Sequence, residues 1–337
     1  MKRTIRLFLA AFLSFIFLFT SCNDSEEKIP SKQDELIPKL AFDWQTPIKR
    51  KSSNAEIDKE QFIVAFNEAF SSINSSVKLV DFHPYIIAEN AINVRTIDQQ
   101  FESTLSSRWL PNDANRNWNA DGNGEDIDYM SFTPFAIANG QIPVEGLYDQ
   151  LYDVWENDGF CNTVTIDKNT YDLSMGNPSL ILDLGPGFPT AADPLTDINV
   201  MGFIPGVIFE DLLGSENILG VAFSFVFIDE NGDPVSTTRG KEDKAYAEIW
   251  FNDDFTWSFG PANGIDLESV VLHEFGHSLN LGHFGILQAF EQNGEIIDLK
   301  YYPEAVMNAL YIGEARNVLR DTDKGNFCEA WGSWPWN

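Results

Sequence analysis

The stretch His273-Glu274-Phe275-Gly276-His277-Ser278-Leu279-Asn280-Leu281-Gly282-His283 is the most informative part of the sequence, because three of the chain's four histidines fall within it. On a helix, His273 and His277 lie one turn apart on the same face, so both imidazole rings can reach one cation. Glu274 is adjacent to the first ring, where a carboxylate can act on a metal-bound water without binding the metal. His283 lies beyond the next helical turn, so the chain must turn sharply to bring its ring back. Three neutral imidazoles leave one tetrahedral position open for water, as a catalytic zinc site requires.

A second motif follows in Tyr302-Pro303-Glu304-Ala305-Val306-Met307-Asn308-Ala309-Leu310-Tyr311. The H-E-x-x-H spacing, the third histidine and this methionine-containing segment together resemble the metzincin zinc peptidases, and among them the matrixins. H-E-x-x-H alone also occurs by chance on helices whose histidines only pack, but the two further features make chance a poor explanation. The resemblance implies a Zn²⁺ site with histidine ligands, a glutamate general base and a methionine floor beneath the metal, formed by His273, His277, His283, Glu274 and Met307.

One position departs from the metzincin pattern. Asn280 stands where the family has the glycine that ends the helix and starts the turn toward the third ligand. That turn requires a positive φ, which glycine adopts freely and asparagine tolerates better than most residues. Asn280 is therefore expected to cost about 1 kcal/mol and to preserve the turn.

The order of predicted elements also resembles the matrixin catalytic domain. Hydrophobic periodicity and turn residues predict helices over 57–73 and 144–157, strands over 163–166, 180–184 and 218–228, a hairpin turn at 231–232, and a returning strand over 245–251. Asp266 is the predicted N-cap of the helix that carries His273. The resemblance implies an α+β, zincin-like fold: a twisted, mostly parallel five-stranded sheet with one antiparallel edge strand, an active-site helix and a C-terminal helix.

The same resemblance implies the position of a substrate groove. Leu219 and Val221 belong to the edge strand, to which an extended peptide would add through main-chain hydrogen bonds. Tyr311 and the loop to Leu319 would border the pocket for the residue after the scissile bond. Val221 and Trp250 also match positions where matrixins bind a second, structural zinc through histidines, so we expect that second zinc to be absent.

The implied function is zinc-dependent endopeptidase activity on extracellular proteins or peptides. The alternative from another class is a non-catalytic, surface-binding lipoprotein with a retained zinc site. Glu274 discriminates between the two, because a protein without activity has little reason to keep the general base. A third option is an H-E-x-x-H peptidase with a distant glutamate ligand, which the methionine motif disfavours.

Calcium is a second candidate ligand. Asp121-Gly122-Asn123-Gly124-Glu125-Asp126-Ile127-Asp128 concentrates oxygen ligands in a glycine-rich loop, which suits Ca²⁺. The loop lacks the EF-hand glycine and its final glutamate, so a solvated acidic turn is the alternative. The calcium site of the matrixins is also altered, because Asn252 and Phe255 replace two of its acidic ligands.

The composition and charge exclude one class of partner. The chain of 337 residues carries 51 acidic and 22 basic side chains, which gives a formal net charge of -29. Such a surface repels the phosphates of nucleic acids, so a DNA- or RNA-binding role is excluded. The hydrophobic content of 44% suffices for a globular core and for one large or two smaller domains.

The N-terminal residues predict export. A basic segment precedes an apolar run over 7–19 that is too short to span a bilayer, which takes about 20 residues. Residues 1–21 are therefore interpreted as a signal peptide. Leu18-Phe19-Thr20-Ser21-Cys22 resembles a bacterial lipobox, which makes Cys22 the lipidation site and the lipid anchor the contact with the membrane. The predicted location is the outer membrane and cell surface of a Gram-negative bacterium, with a secreted protein as the alternative.

The rest of the chain divides by composition. Residues 22–55 are polar and are predicted to form a lipidated flexible tether. Residues 56–105 are predicted to be an N-terminal segment or pro-region, and residues 106–337 the matrixin-like zinc peptidase domain. The fourth histidine, His83, is interpreted as a surface or packing histidine, with a block on the zinc of a latent form as the alternative.

Two cysteines remain once Cys22 is assigned to lipidation. Cys161 and Cys328 form an even pair in an oxidising compartment, which predicts one disulfide. Two buried free thiols are the alternative.

Overall fold

The computed structural model describes residues 59–87, 104–116, 126–135, 137–138, 142–158, 164–182, 194–260, 264–293 and 295–335. The predicted signal peptide, the lipidation site Cys22, the tether and Cys161 lie outside the described residues. All described residues fall within one unit of the fold, Pro38–Asn337. None of the helices in the described ranges is long and apolar enough to cross a membrane.

The described residues form five α-helices and fifteen strands. The helices are α1 (Lys59–Phe70), α2 (Glu145–Asp158), α3 (Gly206–Leu213), α4 (Leu267–Ser278) and α5 (Asp321–Trp331). The strands are β1 (Val77–Ile87), β2 (Ser107–Arg108), β3 (Ile127–Ser131), β4 (Ile137–Ala138), β5 (Ile142–Pro143), β6 (Ile166–Asn169), β7 (Ile198–Ile204), β8 (Ile218–Phe227), β9 (Thr237–Thr238), β10 (Lys241–Asn252), β11 (Trp257–Ser258), β12 (Ile265–Asp266), β13 (Ile286–Gln292), β14 (Glu295–Tyr302) and β15 (Leu310–Tyr311).

The main sheet has the strand order β15-β1-β8-β10-β7-β3-β6, with the short strands β2 and β9 also paired to β10. Strands β10, β7, β3 and β6 run parallel to one another, and β8 is antiparallel to β10. A mainly parallel sheet with helices packed against it is compatible with the predicted zincin-like fold. Strand β8 is the antiparallel strand that the matrixin resemblance implies.

The predicted five-stranded sheet with β8 at its edge is too narrow. Strand β1 pairs with β8 in the antiparallel direction, and β15 then pairs with β1 in the parallel direction. An exposed edge leaves backbone N–H and C=O groups without partners, and β1 satisfies those of β8. The segment predicted as residues 56–105 therefore contributes α1 and β1 to the main fold.

Two predicted elements differ from the structure for a local reason. The apolar run predicted as a strand over 180–184 is irregular at Leu180, Ile181 and Leu182, although all three are buried. Ser179 Oγ accepts hydrogen bonds from the backbone N–H groups of Ile181 and Leu182, which bends the chain instead of extending it. The strand predicted over 163–166 begins at its last residue, as β6.

Two apolar clusters fill the interior. The first core joins the sheet to α2, α4 and α5, through residues such as Trp155, Phe275 and Phe327. The second core contains the apolar residues of α1 and α3, such as Phe66 and Phe209, and no buried residue of α4. The helix with the histidine motif is therefore embedded in the first core, which fixes its position against the sheet.

Candidate metal centre and active site

Helix α4 and the turn after it position the three histidines of the motif. Asp266 caps the helix by accepting a hydrogen bond from the backbone N–H of Ser269 (3.2 Å), which confirms the predicted N-cap. The helix ends at Ser278, and Asn280 has a φ of 71°. This confirms the predicted left-handed turn, after which the chain returns to place His283 beside the helix.

The three Nε2 atoms of His273, His277 and His283 converge on one point. Nε2 of His277 lies 3.1 Å from that of His273 and 3.1 Å from that of His283. The Nε2 atoms of His273 and His283 are 3.3 Å apart. Donor atoms of a tetrahedral zinc site with bonds of about 2.0–2.1 Å stand about 3.3 Å apart. The spacing of these donors therefore fits a metal ion of the size of zinc.

The hydrogen bonds of the rings set their tautomers. Nδ1 of His273 lies 2.8 Å from the carbonyl oxygen of Val306, and Nδ1 of His277 lies 2.7 Å from that of Leu281. A carbonyl oxygen only accepts, so each Nδ1 carries the hydrogen and each Nε2 keeps a lone pair. Burial lowers the pKa of His273 to about 3, so its ring is neutral near pH 7. Two Nε2 lone pairs that point to one place beside a third imidazole suit the binding of a cation there.

Glu274 is fully buried beside the three histidines. Neither carboxylate oxygen has a hydrogen-bond partner among the described residues, and burial raises the pKa of Glu274 well above its usual value. Gly220 on β8 leaves the space that this side chain occupies, because a Cβ there would stand 3.0 Å from its Cγ and Oε1 atoms. A carboxylate with uncommitted oxygens in such a place can exchange protons with a water or a substrate.

Met307 packs directly against the helix of the histidine motif. A Cβ at Gly276 would collide with the Sδ atom of Met307, so a larger residue at this point of α4 would displace the methionine side chain. The carboxylate of Asp323 on α5 accepts hydrogen bonds from the backbone N–H groups of Val306 (3.0 Å) and Met307 (3.2 Å). Asp323 thus fixes the methionine segment, and no local sequence pattern singled it out.

Lys244 is a second residue that sequence reasoning missed. Its ammonium group is buried, and it donates to the carbonyl oxygens of His277 (3.3 Å) and Ser278 (3.0 Å) at the end of α4. Burial lowers the pKa of Lys244 to about 7. A cation favours the negative end of the helix dipole, so Lys244 stabilises the helix end that carries His277. In sequence it looks like an ordinary exposed lysine of a strand.

The three residues predicted to line the substrate pocket lie in different places. Leu219 is in the first core, and the buried Tyr311 accepts a hydrogen bond from the backbone N–H of Asp266 (3.0 Å). Val221 packs in the second core, so its side chain does not line the pocket. Residues two apart on a regular strand point to the same face, so Leu219 and Val221 are expected to lie together. The β1–β8 pairing shifts its register at Leu219, and the two side chains therefore point into different cores. Val221 and Trp250, the positions matched to a second zinc, are cross-strand partners in that second core.

Of the two interpretations given for His83, surface or packing, the structure agrees with packing, because the residue is buried. It is only 4% exposed, and its ring centroid lies 4.6 Å from that of His277. Ligand atoms of His83, His277 and His283 all lie within 4.8 Å of one another, so a second set of three imidazoles is close enough to be considered. The set with His273 has the tighter spacing, and Nε2 of His83 already pairs with Asp81 at 2.9 Å. The set with His273 is therefore the better candidate for a metal ion.

The remaining predicted sites are less complete. Cys328 is disulfide-bonded, but Cys161 lies outside the described residues, so the pairing of these two stays a prediction. Within the described ranges, the cluster of candidate metal ligands is made of histidines, so calcium has no support there. Most of the predicted calcium loop, at 121–125, lies outside the described residues.

Comparison with known proteins matches the same part of the chain. The model of the matrixin family matches residues 224–293, from within β8 through α4 and His283 into β13. Matrix metalloproteinase-25 of Mus musculus is 60% identical over 35 residues, which is 10% of this chain and 6% of that protein. The 72 kDa type IV collagenase of Gallus gallus is 31% identical over 88 residues, 24% of this chain and 13% of that protein. The chain thus matches small parts of these relatives, which supports a matrixin-like domain and a metalloprotease.

Proposed function

We propose that this chain is a zinc-dependent endopeptidase that hydrolyses peptide bonds of extracellular proteins or peptides. The observation that carries the proposal is the convergence of three imidazole Nε2 atoms beside a buried carboxylate that has no hydrogen-bond partner among the described residues. The matrixin match over 224–293 includes all four of these residues. A purely structural role would leave Glu274 buried at a cost in free energy with nothing to offset it.

The residues that would hold the zinc are His273, His277 and His283. When bound there, zinc supplies a Lewis acid that polarises the scissile carbonyl and lowers the pKa of the attacking water toward neutrality. The backbone carbonyls of Val306 and Leu281 hold two of the rings in the tautomer that this ligation needs. Met307 and Asp323 keep the floor beneath the rings in place.

Glu274 is the proposed general base. Its carboxylate takes a proton from the attacking water and returns it to the leaving amine nitrogen. Both carboxylate oxygens are available for this exchange, because neither is engaged by a described residue. Gly220 keeps the position open, and the surrounding first core excludes bulk water from the carboxylate.

The proposal is tested by metal content and hydrolysis measured together. Elemental analysis of purified protein should find one zinc per chain in the parent and in Glu274→Gln, and a strong loss in His283→Ala. Any casein hydrolysis, whether by the parent or by a variant altered in β1, should disappear with a chelator and with Glu274→Gln. Background hydrolysis that neither the chelator nor Glu274→Gln alters would overturn the proposal. Bound zinc without hydrolysis in any variant would favour the non-catalytic surface protein.

We also propose that the protein is exported and anchored by lipid at Cys22, and that Cys161 and Cys328 pair. The lipobox-like sequence supports the first part, and the disulfide at Cys328 supports the second. Metabolic labelling with palmitate should mark the parent and leave Cys22→Ser unlabelled. Peptide mapping without reduction should join the peptides of Cys161 and Cys328; separate peptides would refute the pairing.

A further inference from the structure

Strand β1 lies beside the histidines, between strands β8 and β15. We propose that β1 is an internal mimic of the substrate: it fills the peptide-binding groove, keeps the chain latent, and shows through Tyr85 that the pocket takes a large aromatic side chain. This inference rests on the endopeptidase function proposed above. It names the regulation and the substrate class of that same site.

The backbone pairing of β1 is that expected of a bound peptide. It runs antiparallel to β8 from Val77 to Ile86, and its last two residues pair in parallel with Leu310 and Tyr311 of β15. Neighbouring strands stand about 4.8 Å apart, so β8 and β15 border a gap of one strand's width. An extended peptide that adds to a sheet edge makes the same main-chain hydrogen bonds. The two segments predicted to border the substrate groove are therefore present as β8 and β15, and β1 of the same chain lies between them.

Tyr85 is the residue of β1 that lies at the metal site. Its ring stacks on that of His273, with centroids 3.8 Å apart and planes at 12°, and its centroid is 6.2 Å from that of Tyr311. The side chain is fully buried, and its hydroxyl has no hydrogen-bond partner among the described residues. Its partner on β8 is Gly220, the residue that makes room for Glu274. Tyr85 therefore fills the pocket bordered by Tyr311, next to the proposed general base.

His83 covers the other side of the same site. Residues two apart on a strand point to the same face, so His83 and Tyr85 both face the histidines. The ring of His83 stacks on that of His277, as Tyr85 stacks on His273, and Asp81 holds it there. Together the two rings cover the zinc ligands, so a substrate reaches the metal only when β1 has moved away.

Helix α1 anchors β1 in this position. Phe62 of α1 packs on Phe82 of β1 with ring centroids 5.2 Å apart, and Phe66 packs on Phe225 of β8 at 5.9 Å. Both contacts belong to the second core, away from the histidine motif. Burial of this aromatic surface favours the docked strand. The unaltered chain is therefore expected to be latent, and a change in β1 itself should release activity.

The test uses point variants of the full chain. Tyr85→Ala empties the pocket, and hydrolysis of a quenched fluorescent peptide with tyrosine after the scissile bond should rise about tenfold or more over the parent. A peptide with alanine at that position should be a poorer substrate. Lys78→Ala, at the far end of β1 from the histidines, is the matched control and should stay as latent as the parent. Circular dichroism and zinc content report whether each variant is folded and loaded.

A binding measurement separates this inference from the proposed function. A fluorescein-labelled peptide of the β1 sequence, residues 77–87, is titrated into Glu274→Gln with and without Tyr85→Ala. The labelled peptide should bind only when Tyr85→Ala is present. Binding without hydrolysis in Tyr85→Ala would overturn the endopeptidase proposal and leave the groove inference standing. A parent that hydrolyses as fast as Tyr85→Ala would overturn the inference and leave the function standing.

A second variant keeps the inference testable when Tyr85→Ala fails to fold. If Tyr85→Ala does not fold, His83→Ala is judged by the same two measurements, because it uncovers His277 with a smaller loss of packing. Folded, zinc-loaded variants that neither hydrolyse faster nor bind the labelled peptide would show that β1 is a permanent part of the fold. That result would overturn the inference.

Discussion

Two buried glutamates of this chain differ in the hydrogen bonds that their carboxylates receive. Glu248 on β10 and Glu274 on α4 are both fully shielded from solvent. The carboxylate of Glu248 accepts four hydrogen bonds, from Trp250 Nε1 (2.7 Å), Ser179 Oγ (2.6 Å), Leu180 N (2.8 Å) and Tyr246 Oη (3.3 Å). That of Glu274 accepts none from the described residues. The same side chain at the same burial thus joins segments of the fold in one place and is left uncommitted for chemistry in the other.

The largest expected effect is on hydrolysis, from Glu274→Gln. Loss of a general base lowers the rate by about 10²–10⁴-fold, while the isosteric amide keeps the packing. The melting temperature should not fall, because the variant removes a buried carboxylate that has no partner. Steady-state kinetics check the expected loss of rate, and thermal unfolding checks the melting temperature. Both are measured with Glu274→Gln introduced into the most active β1 variant. A lower melting temperature with retained hydrolysis would show that Glu274 is the structural glutamate.

The second effect, on stability, comes from Glu248→Gln. In this variant the side-chain NH₂ of the new glutamine replaces an oxygen that accepted hydrogen bonds, so it would point at a donor group. At least one buried hydrogen bond is then lost, and one donor is left unpaired. The free energy of unfolding should fall by about 2–4 kcal/mol, with the zinc content of the folded protein unchanged. Urea denaturation measures this loss. Glu230→Gln, in an exposed turn, is the matched control and should unfold like the parent.

The pH dependence of stability gives a third way to separate the two glutamates. Burial raises the pKa of Glu248 from 4.5 to about 7, so between these values the folded chain binds a proton that the unfolded chain releases. This contribution to stability is fully present below pH 4.5 and is lost as the pH rises through 7. From pH 5 to 6.5, the free energy of unfolding should fall by about 2 kcal/mol more in the parent than in Glu248→Gln. Parallel curves for the two proteins would contradict this assignment.

The smallest effect concerns the space around Glu274. Gly220→Ala places a Cβ 3.0 Å from Cγ and Oε1 of Glu274, so the carboxylate must shift. In the most active β1 variant, hydrolysis should fall about tenfold through kcat, with zinc content unchanged, because a small misplacement of a catalytic group is costly. Gly146→Ala, with no atom of the described residues within 4 Å of the added atom, is the control and should leave hydrolysis by the same β1 variant unchanged. Equal rates for the two variants would show that Glu274 has room to move.

The sequence predicted the convergence of the three histidines because the information for it is local. The three histidines, the N-cap Asp266 and the turn at Asn280 all fall within 18 residues, where helical periodicity and backbone preferences decide the geometry. The residues that complete the site come from elsewhere in the chain. Lys244 and Asp323 bind backbone atoms of the site, and nothing in their own neighbourhoods marks them as different from exposed charges.

The position of β1 in the sheet is another feature that local sequence does not reveal. Its sequence carries His83 and Pro84 in a weakly patterned region, and local periodicity does not tell which strand it pairs with. The pairing joins Tyr85 to Gly220, and it converts the predicted edge strand β8 into an interior strand. Similarly, the donors at Ser179 and Leu180 reach Glu248 across a separation of about 70 residues, so local periodicity at β10 does not reveal this network.

The most direct test is zinc K-edge X-ray absorption spectroscopy on the parent and Glu274→Gln. The account predicts zinc bound by three imidazole nitrogens at about 2.0 Å in both proteins, with the remaining ligand an oxygen. His283→Ala should remove or reorganise this set, and His83→Ala should leave it unchanged. Absence of zinc, a spectrum with a carboxylate ligand that disappears in Glu274→Gln, or ligation indifferent to His283→Ala would contradict it.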